Sequence, residues 1–225
     1  MKKRVMKRAV LVSLLSLCLS PSAFADTGDV AGTLKGGTLG LGAEVTVGLT
    51  SSINARAGFN TLNYDGSTTE SDIKYDYTLK LQSIPLLLDW HPFDASGFRL
   101  SSGAVFNSNK VNATGAPQGT YTIGGTTYTT AQIATLSGDV TFNNVSPYAG
   151  IGWGNAVGTD SGLSIALDLG VVFQGTPNVS LAASGPIATD ATFKTNLAKE
   201  TTDLESNIKS LKYYPVISLG LAYKF

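Results

Sequence analysis

The chain has 225 residues, 43% of them hydrophobic and 14% charged, with sixteen basic residues balancing sixteen acidic ones, one histidine and one cysteine. No basic patch is present to neutralise phosphates, which argues against nucleic acid as a partner, and a lone cysteine supports neither a disulfide framework nor a thiolate metal cluster. Past residue 25 no apolar run is long enough for a membrane-spanning helix.

The N-terminus reads as a secretory signal peptide over residues 1–25. Lys2, Lys3, Arg4, Lys7 and Arg8 precede an apolar stretch, Ala9 to Leu19, and Ala23-Phe24-Ala25 offers a small-x-small cleavage site. Cys18 lies inside that stretch, and the bulky Leu17 before it argues against acylation. Cleavage before Asp26 leaves a domain of residues 26–225 with eleven basic and sixteen acidic residues, a net charge of −5, and no cysteine.

The mature chain is a succession of period-two segments, the signature of half-buried strands. A weak first strand is expected around Asp29 to Lys35, turning at Gly36-Gly37. Leu39, Leu41, Ala43, Val45, Val47 and Leu49 then share one face, with Gly42, Glu44 and Thr46 on the other. Ile53, Ala55, Ala57 and Phe59 alternate with Asn54, Arg56 and Gly58. Tyr75, Tyr77, Leu79 and Leu81 alternate with Asp76, Thr78 and Lys80; beyond Ser83 the parity blurs towards Trp90, and a bulge is expected. Phe98, Leu100 and Phe106 oppose Arg99, Ser101 and Asn107. Pro147, Ala149, Ile151 and Trp153 oppose Tyr148, Gly150 and Gly152. Leu163 to Phe173 alternates with Asp168 on the polar side, and Tyr213 to Phe225 closes the series.

Eight such strands are the smallest number that closes a membrane barrel. Short links (Thr50–Ser52, His91–Gly97, Asn155–Gly162) alternate with long ones (Tyr64–Ile73, Ser108–Asn143, Gly175–Lys212), as expected when short turns face the periplasm and long loops face outside. Phe59, Phe106, Phe173 and Tyr213 fall near the outer strand ends, and Trp90, Phe98, Trp153, Tyr223 and Phe225 near the inner ends, which makes two interfacial girdles. The fold class expected is all-β, an antiparallel transmembrane barrel of about eight strands with long extracellular loops. One loop carries a hairpin over Tyr121–Tyr128 around Gly124-Gly125. Another carries a short amphipathic helix within Asp190–Leu211, placed over the barrel mouth, inside it or against the lipopolysaccharide surface.

The lumen face is rich in glycine, and its charges are Glu44, Arg56, Lys80, Arg99 and Asp168, with Asp76 and Asp89 as further candidates. A filled interior of paired charges is expected, since small barrels are just wide enough for side chains to fill them. The alternative is a thin polar path for a small zwitterion or cation. The C-terminal residues Leu221, Tyr223 and Phe225 resemble the sorting signal of outer-membrane barrels.

Three further stretches carry a resemblance: Asp89-Trp90-His91-Pro92-Phe93, Gly97-Phe98-Arg99-Leu100, and Pro147-Tyr148-Ala149-Gly150-Ile151-Gly152-Trp153-Gly154-Asn155-Ala156. With the 121–128 hairpin and Gln174-Gly175-Thr176-Pro177-Asn178-Val179, they make residues 38–225 similar to the small Gram-negative outer-membrane proteins related to CarO. That resemblance implies residence in the cell outer membrane and a narrow uptake barrel for ornithine and other basic amino acids, tied to carbapenem susceptibility. The best-known relative ends in Trp where this chain has Phe225. The implied partners are outer-membrane lipid and lipopolysaccharide, the barrel-assembly machinery and small amino-acid solutes.

No catalytic element is legible. The sole histidine, His91, falls in a periplasmic turn, and there is no nucleophile elbow, metal-ligand spacing, phosphate loop or cofactor box. Two expectations therefore stand, a solute barrel and a surface interaction barrel whose loops bind a partner. An outer-leaflet lipid enzyme is a distant third.

Overall fold

The computed structural model describes residues 28–70, 73–93, 96–116, 119–158 and 162–225, so the signal peptide expected over 1–25 lies outside the described residues. In chain order the strands are β1 (Val30–Gly37), β2 (Gly40–Gly48), β3 (Ile53–Glu70), β4 (Ile73–Trp90), β5 (Phe98–Asn107), β6 (Lys110–Ala116), β7 (Thr120–Ile123), β8 (Thr126–Thr129), β9 (Leu136–Thr141), β10 (Val145–Trp153), β11 (Gly162–Phe173), β12 (Asn178–Ala183) and β13 (Tyr213–Lys224). β1 to β5, then β10, β11 and β13, pair antiparallel in sequence, and β13 returns onto β1. The result is a closed eight-stranded transmembrane barrel.

Strand register fixes the width of this barrel. Stepping sideways from Ala31 through Thr46, Arg56, Leu87, Gly103, Tyr148 and Val172 leads to Tyr214 on β13, whereas the direct partner of Ala31 there is Lys224, an offset of ten residues. With ordinary strand rise and spacing, that shear tilts the strands by about 40° and sets a backbone radius of about 8 Å. Alternation then sorts the side chains. Leu41, Val45, Leu86, Leu88, Ile165, Ile217 and Leu219 face lipid and are exposed. Along β13 the band from Tyr213 to Phe225 rises about 30 Å, enough to cross a hydrocarbon core. At its lower rim Phe98 packs edge-on to Trp153 at 5.3 Å and Tyr223 to Phe225 at 5.4 Å; at its upper rim Phe173 meets Tyr213 at 5.8 Å.

The first hairpin turns two residues later than expected, at Thr38-Leu39 rather than Gly36-Gly37. Thr38 is held to β13: its N–H donates to Ile217 O at 3.0 Å and its hydroxyl to Pro215 O at 2.9 Å. Leu39 folds inward over the lumen instead of joining the lipid face.

The first long link, expected over Tyr64–Ile73, is almost wholly strand. β3 and β4 keep one register from Ile53↔Trp90 to Glu70↔Ile73, so the bulge expected after Ser83 is absent and the hairpin stands as a ribbon above the membrane. Its constant parity puts Leu81, Ser83, Pro85, Leu87 and Asp89 inside. The apolar stripe Tyr75–Leu81 therefore lies on the interior side, opposite to the face expected from the sequence. Above the membrane no lipid selects a greasy side, so alternation there carries no direction.

β6 adds to the upper part of β4, β9 to β6 and β12 to β9, giving an extracellular sheet continuous with the barrel wall. β7 and β8 form the expected ribbon, turning at Gly124-Gly125 with φ of +57° and +88°, the backbone a two-residue hairpin needs. A single helical turn, Thr130–Ile133, follows it. The expected amphipathic helix spans Ala191–Ile208, capped by Asp190, whose carboxylate accepts from Phe193 N–H at 2.8 Å. Phe193, Ile123, Tyr128 and Ile133 make a second small core outside the membrane, joined by Leu197. Asn196 donates to Tyr128 OH at 2.8 Å and Thr126 Oγ1 at 3.0 Å, fastening helix to ribbon. The helix lies on β12 and the ribbon, and no residue lining the lumen cavity comes from it.

Candidate functional site: the barrel lumen

Inward positions of seven strands meet in one charged network. Arg56 on β3 is its hub. Nη1 donates to Glu44 Oε1 at 3.1 Å and Asp168 Oδ1 at 3.2 Å, and Nη2 to Asp89 Oδ1 at 3.0 Å and Ser101 Oγ at 3.2 Å. Glu44 also receives Lys35 Nζ at 2.7 Å, and Asp168 receives Arg99 Nη2 at 2.7 Å and Ser218 Oγ at 3.1 Å. Ser101 Oγ donates to Asp89 at 2.6 Å. Three cations thus face three carboxylates, five of the six buried and Lys35 half-buried, and the group is neutral as a whole. Burial of a charge is tolerable only when it is paired and hydrogen-bonded, and each of these six is.

The eighth strand, β10, contributes room. A Cβ on Gly152 would lie 2.7 Å from Arg99 Nε, and one on Gly150 would lie 2.5 Å from the Tyr148 hydroxyl. Arg99 uses that space to reach the carbonyls of Gly154 and Leu167. The glycines on this face are therefore gaps already occupied by their neighbours, not an open path.

Two further layers close the lumen above the charges. Leu87, Val105, Tyr148, Val172 and Val216 pack together, with Leu39 and Tyr214 against them. The mouth is then crossed by buried amides. Asn60 donates to Ser83 at 3.2 Å, Asn107 to Gln174 at 3.4 Å, and Gln174 to Leu211 O at 2.8 Å. Between the charged and apolar layers, beside Lys35, Arg56 and Asp168, the room left for water is ≈ 20 Å³, enough for about one molecule. At the lower end Asn54 donates to Asn155 Oδ1 at 3.0 Å and lies 3.2 Å from His91 Nε2, which accepts. Burial holds the His91 imidazole below its ordinary pKa, against the pull of Asp89 and with help from Arg99 and Arg56.

Of the lumen charges read from sequence, Glu44, Arg56, Arg99 and Asp168 come together here. Lys80 does not. It shares the parity of Leu86 and Leu88, is exposed, and stands above the lipid band beside Lys110. Asp76 has the same outward parity. Lys35, Asp89, Ser101 and Ser218 complete the network. Asp89, a further candidate from the sequence, is buried in the network as expected, whereas Lys35 is hidden in a strand with a poor pattern. Leu221, Tyr223 and Phe225 lie exposed on the lipid face of the last strand.

A closed antiparallel wall, an apolar exterior between two aromatic rings and an interior filled by side chains define a small transmembrane β-barrel. Its fold is CarO-like. The chain is similar to Acinetobacter baumannii CarO2, at 21% identity and a TM-score of 0.59 over 89% of this chain and 100% of that one. It is also similar to Acinetobacter baumannii CarO, at 20% identity and a TM-score of 0.58 over 88% and 98%. No protein-family model and no curated protein matches it.

Proposed function

We propose that this chain is a non-enzymatic protein of the cell outer membrane whose barrel is a sealed anchor, and that its extracellular sheet, ribbon and helix engage a partner outside the cell. The observation that carries the reading is the filled lumen. Passage of ornithine or a similar basic solute would require Arg56 to leave three carboxylates at once and the apolar layer above it to part. Breaking one buried pair already costs about 3–5 kcal/mol. The extracellular part, by contrast, has its own core and hydrogen-bonded fastenings, as a binding surface requires. Exposed Leu221, Tyr223 and Phe225 suit recognition by the barrel-assembly machinery. His91 bonds an amide rather than a nucleophile or carboxylate, which favours a structural part for it.

The test is electrical. Mature protein reconstituted in planar bilayers should show no steady conductance, and proteoliposomes should not accumulate labelled ornithine above protein-free controls. Reproducible channel openings, or ornithine uptake lost on substituting Arg56, would replace the anchor by the uptake barrel.

A further inference from the structure

The outward face of the extracellular sheet is polar, and in its two lowest rows the charges are sorted by height. Strand register sets Asn63, Lys80, Lys110 and Thr141 side by side in the row nearest the membrane. Asp65, Thr78, Asn112 and Asp139 form the next row up. Both cations are therefore in the lower row and both carboxylates in the upper one.

Lys80 and Lys110 are direct cross-strand partners, the arrangement in which like charges repel. The ion pair that Lys110 makes is slack: Nζ lies 3.4 Å from Asp139 Oδ2, with the two side chains 40% and 45% exposed. Exposed pairs of that kind contribute little. Lys80 is four residues above Ile84, whose cross-strand neighbour is Phe106 in the upper aromatic ring. Along strands tilted by about 40° the four residues rise about 10 Å. The headgroup region begins within that distance of the hydrocarbon edge, and lysine stems lie along apolar surface while the ammonium seeks charge.

We infer that the Lys80–Lys110 pair binds a phosphate of the outer-leaflet glycolipid, with the Asn63 amide and Thr141 hydroxyl flanking it in the row as neutral donors. An anion between the two ammonium groups turns their repulsion into a bridge. Asp65 and Asp139, one row higher, repel a phosphate that climbs, so the site accepts an anion presented from below. That geometry selects a membrane-held headgroup over a free anion. The inference rests on the outer-membrane placement proposed above but not on a sealed lumen, so a conducting barrel would leave it standing.

The experiment is native mass spectrometry of the detergent-solubilised mature barrel, titrated with bisphosphorylated lipid A or its dephosphorylated form. Retained heat-modifiable mobility reports folding of each variant. The wild type should prefer the phosphorylated lipid by about tenfold or more, the scale of one charge-assisted contact. Lys80→Gln with Lys110→Gln should abolish the preference. The corresponding double arginine variant should keep it, as should Lys194→Gln with Lys199→Gln on the exposed side of the helix. A preference that survives the double glutamine change overturns the inference. So does complete displacement of the lipid by an equal concentration of inorganic phosphate, which would mark a free-anion site.

Discussion

Replacing Arg56 by methionine removes the hub of the lumen network while keeping most of its volume. The cost follows from what each partner retains. Glu44 keeps Lys35 at 2.7 Å, and Asp168 keeps Arg99 at 2.7 Å and Ser218 at 3.1 Å. Asp89 keeps only the Ser101 hydroxyl at 2.6 Å, with Arg99 Nε no nearer than 3.9 Å. One carboxylate is thus orphaned rather than three, and the loss should be that of a single broken buried pair, about 3–5 kcal/mol. Neutralising the orphan should return part of it. Arg56→Met with Asp89→Asn is expected to be about 1–2 kcal/mol more stable than Arg56→Met alone, a coupling a double-mutant cycle isolates. Urea unfolding of the refolded barrel in detergent, followed by fluorescence of Trp90 and Trp153 at the lower rim, measures both. An Arg56→Met loss under about 1 kcal/mol, or no rescue by Asp89→Asn, would refute the hub assignment.

Three other outcomes are expected. Gly152→Ala places a methyl 2.7 Å from Arg99 Nε and 2.8 Å from Leu167 O; the same unfolding assay should show a loss of about 1–3 kcal/mol, as overpacking gives. Asn196→Ala removes two of the bonds that tie the helix to the β7–β8 ribbon and leaves only the longer one from Gly124 N–H to Glu200 at 3.4 Å, so protease should cut the extracellular loops faster while the barrel midpoint stays put. Because the folded state holds His91 below its ordinary value of 6.5, the unfolded chain takes up the proton first; the stability contributed by the neutral ring is complete above that pH and is lost as pH falls from it through the lower folded value. His91→Gln should flatten that part of the pH–stability curve.

The barrel was legible because lipid enforces alternation. Every strand within the band, from Leu41–Val47 to Tyr213–Phe225, had to place apolar side chains outward, and period two alone oriented it. Where lipid stops, that constraint stops. The upper part of β4 still alternates, yet Tyr77 and Leu79 face the interior side while Lys80 faces out, because water on both sides makes either parity affordable to the fold. The misplacement of Lys80 and the expected bulge are one error with this one cause. Lys35 was overlooked for a different reason. β1 is short and glycine-rich, Gly32, Gly36 and Gly37 lack side chains to show a face, and only the pairing of Lys35 with Glu44 reveals it. The β7–β8 ribbon and the capped helix were legible because turn glycines and an N-cap aspartate are local signals that need no membrane.

Width links the lumen to the exterior. Eight strands at this shear leave a backbone radius of about 8 Å, and inward side chains from opposite walls meet at that distance. An Arg56 reaching towards β11 and an Arg99 reaching across β10 therefore span the interior rather than line it. Enlarging side chains crowds such a barrel, as the glycines of β10 show, and shrinking them uncovers a buried charge. The interior is constrained in both directions. The outer face is not: its extracellular rows of Asn, Ser, Thr, Asp and Lys tolerate exchange without touching the lumen network. Variation there leaves the lumen network intact, so the proposed recognition of a partner would fall on the sheet, the ribbon and the helix above the membrane.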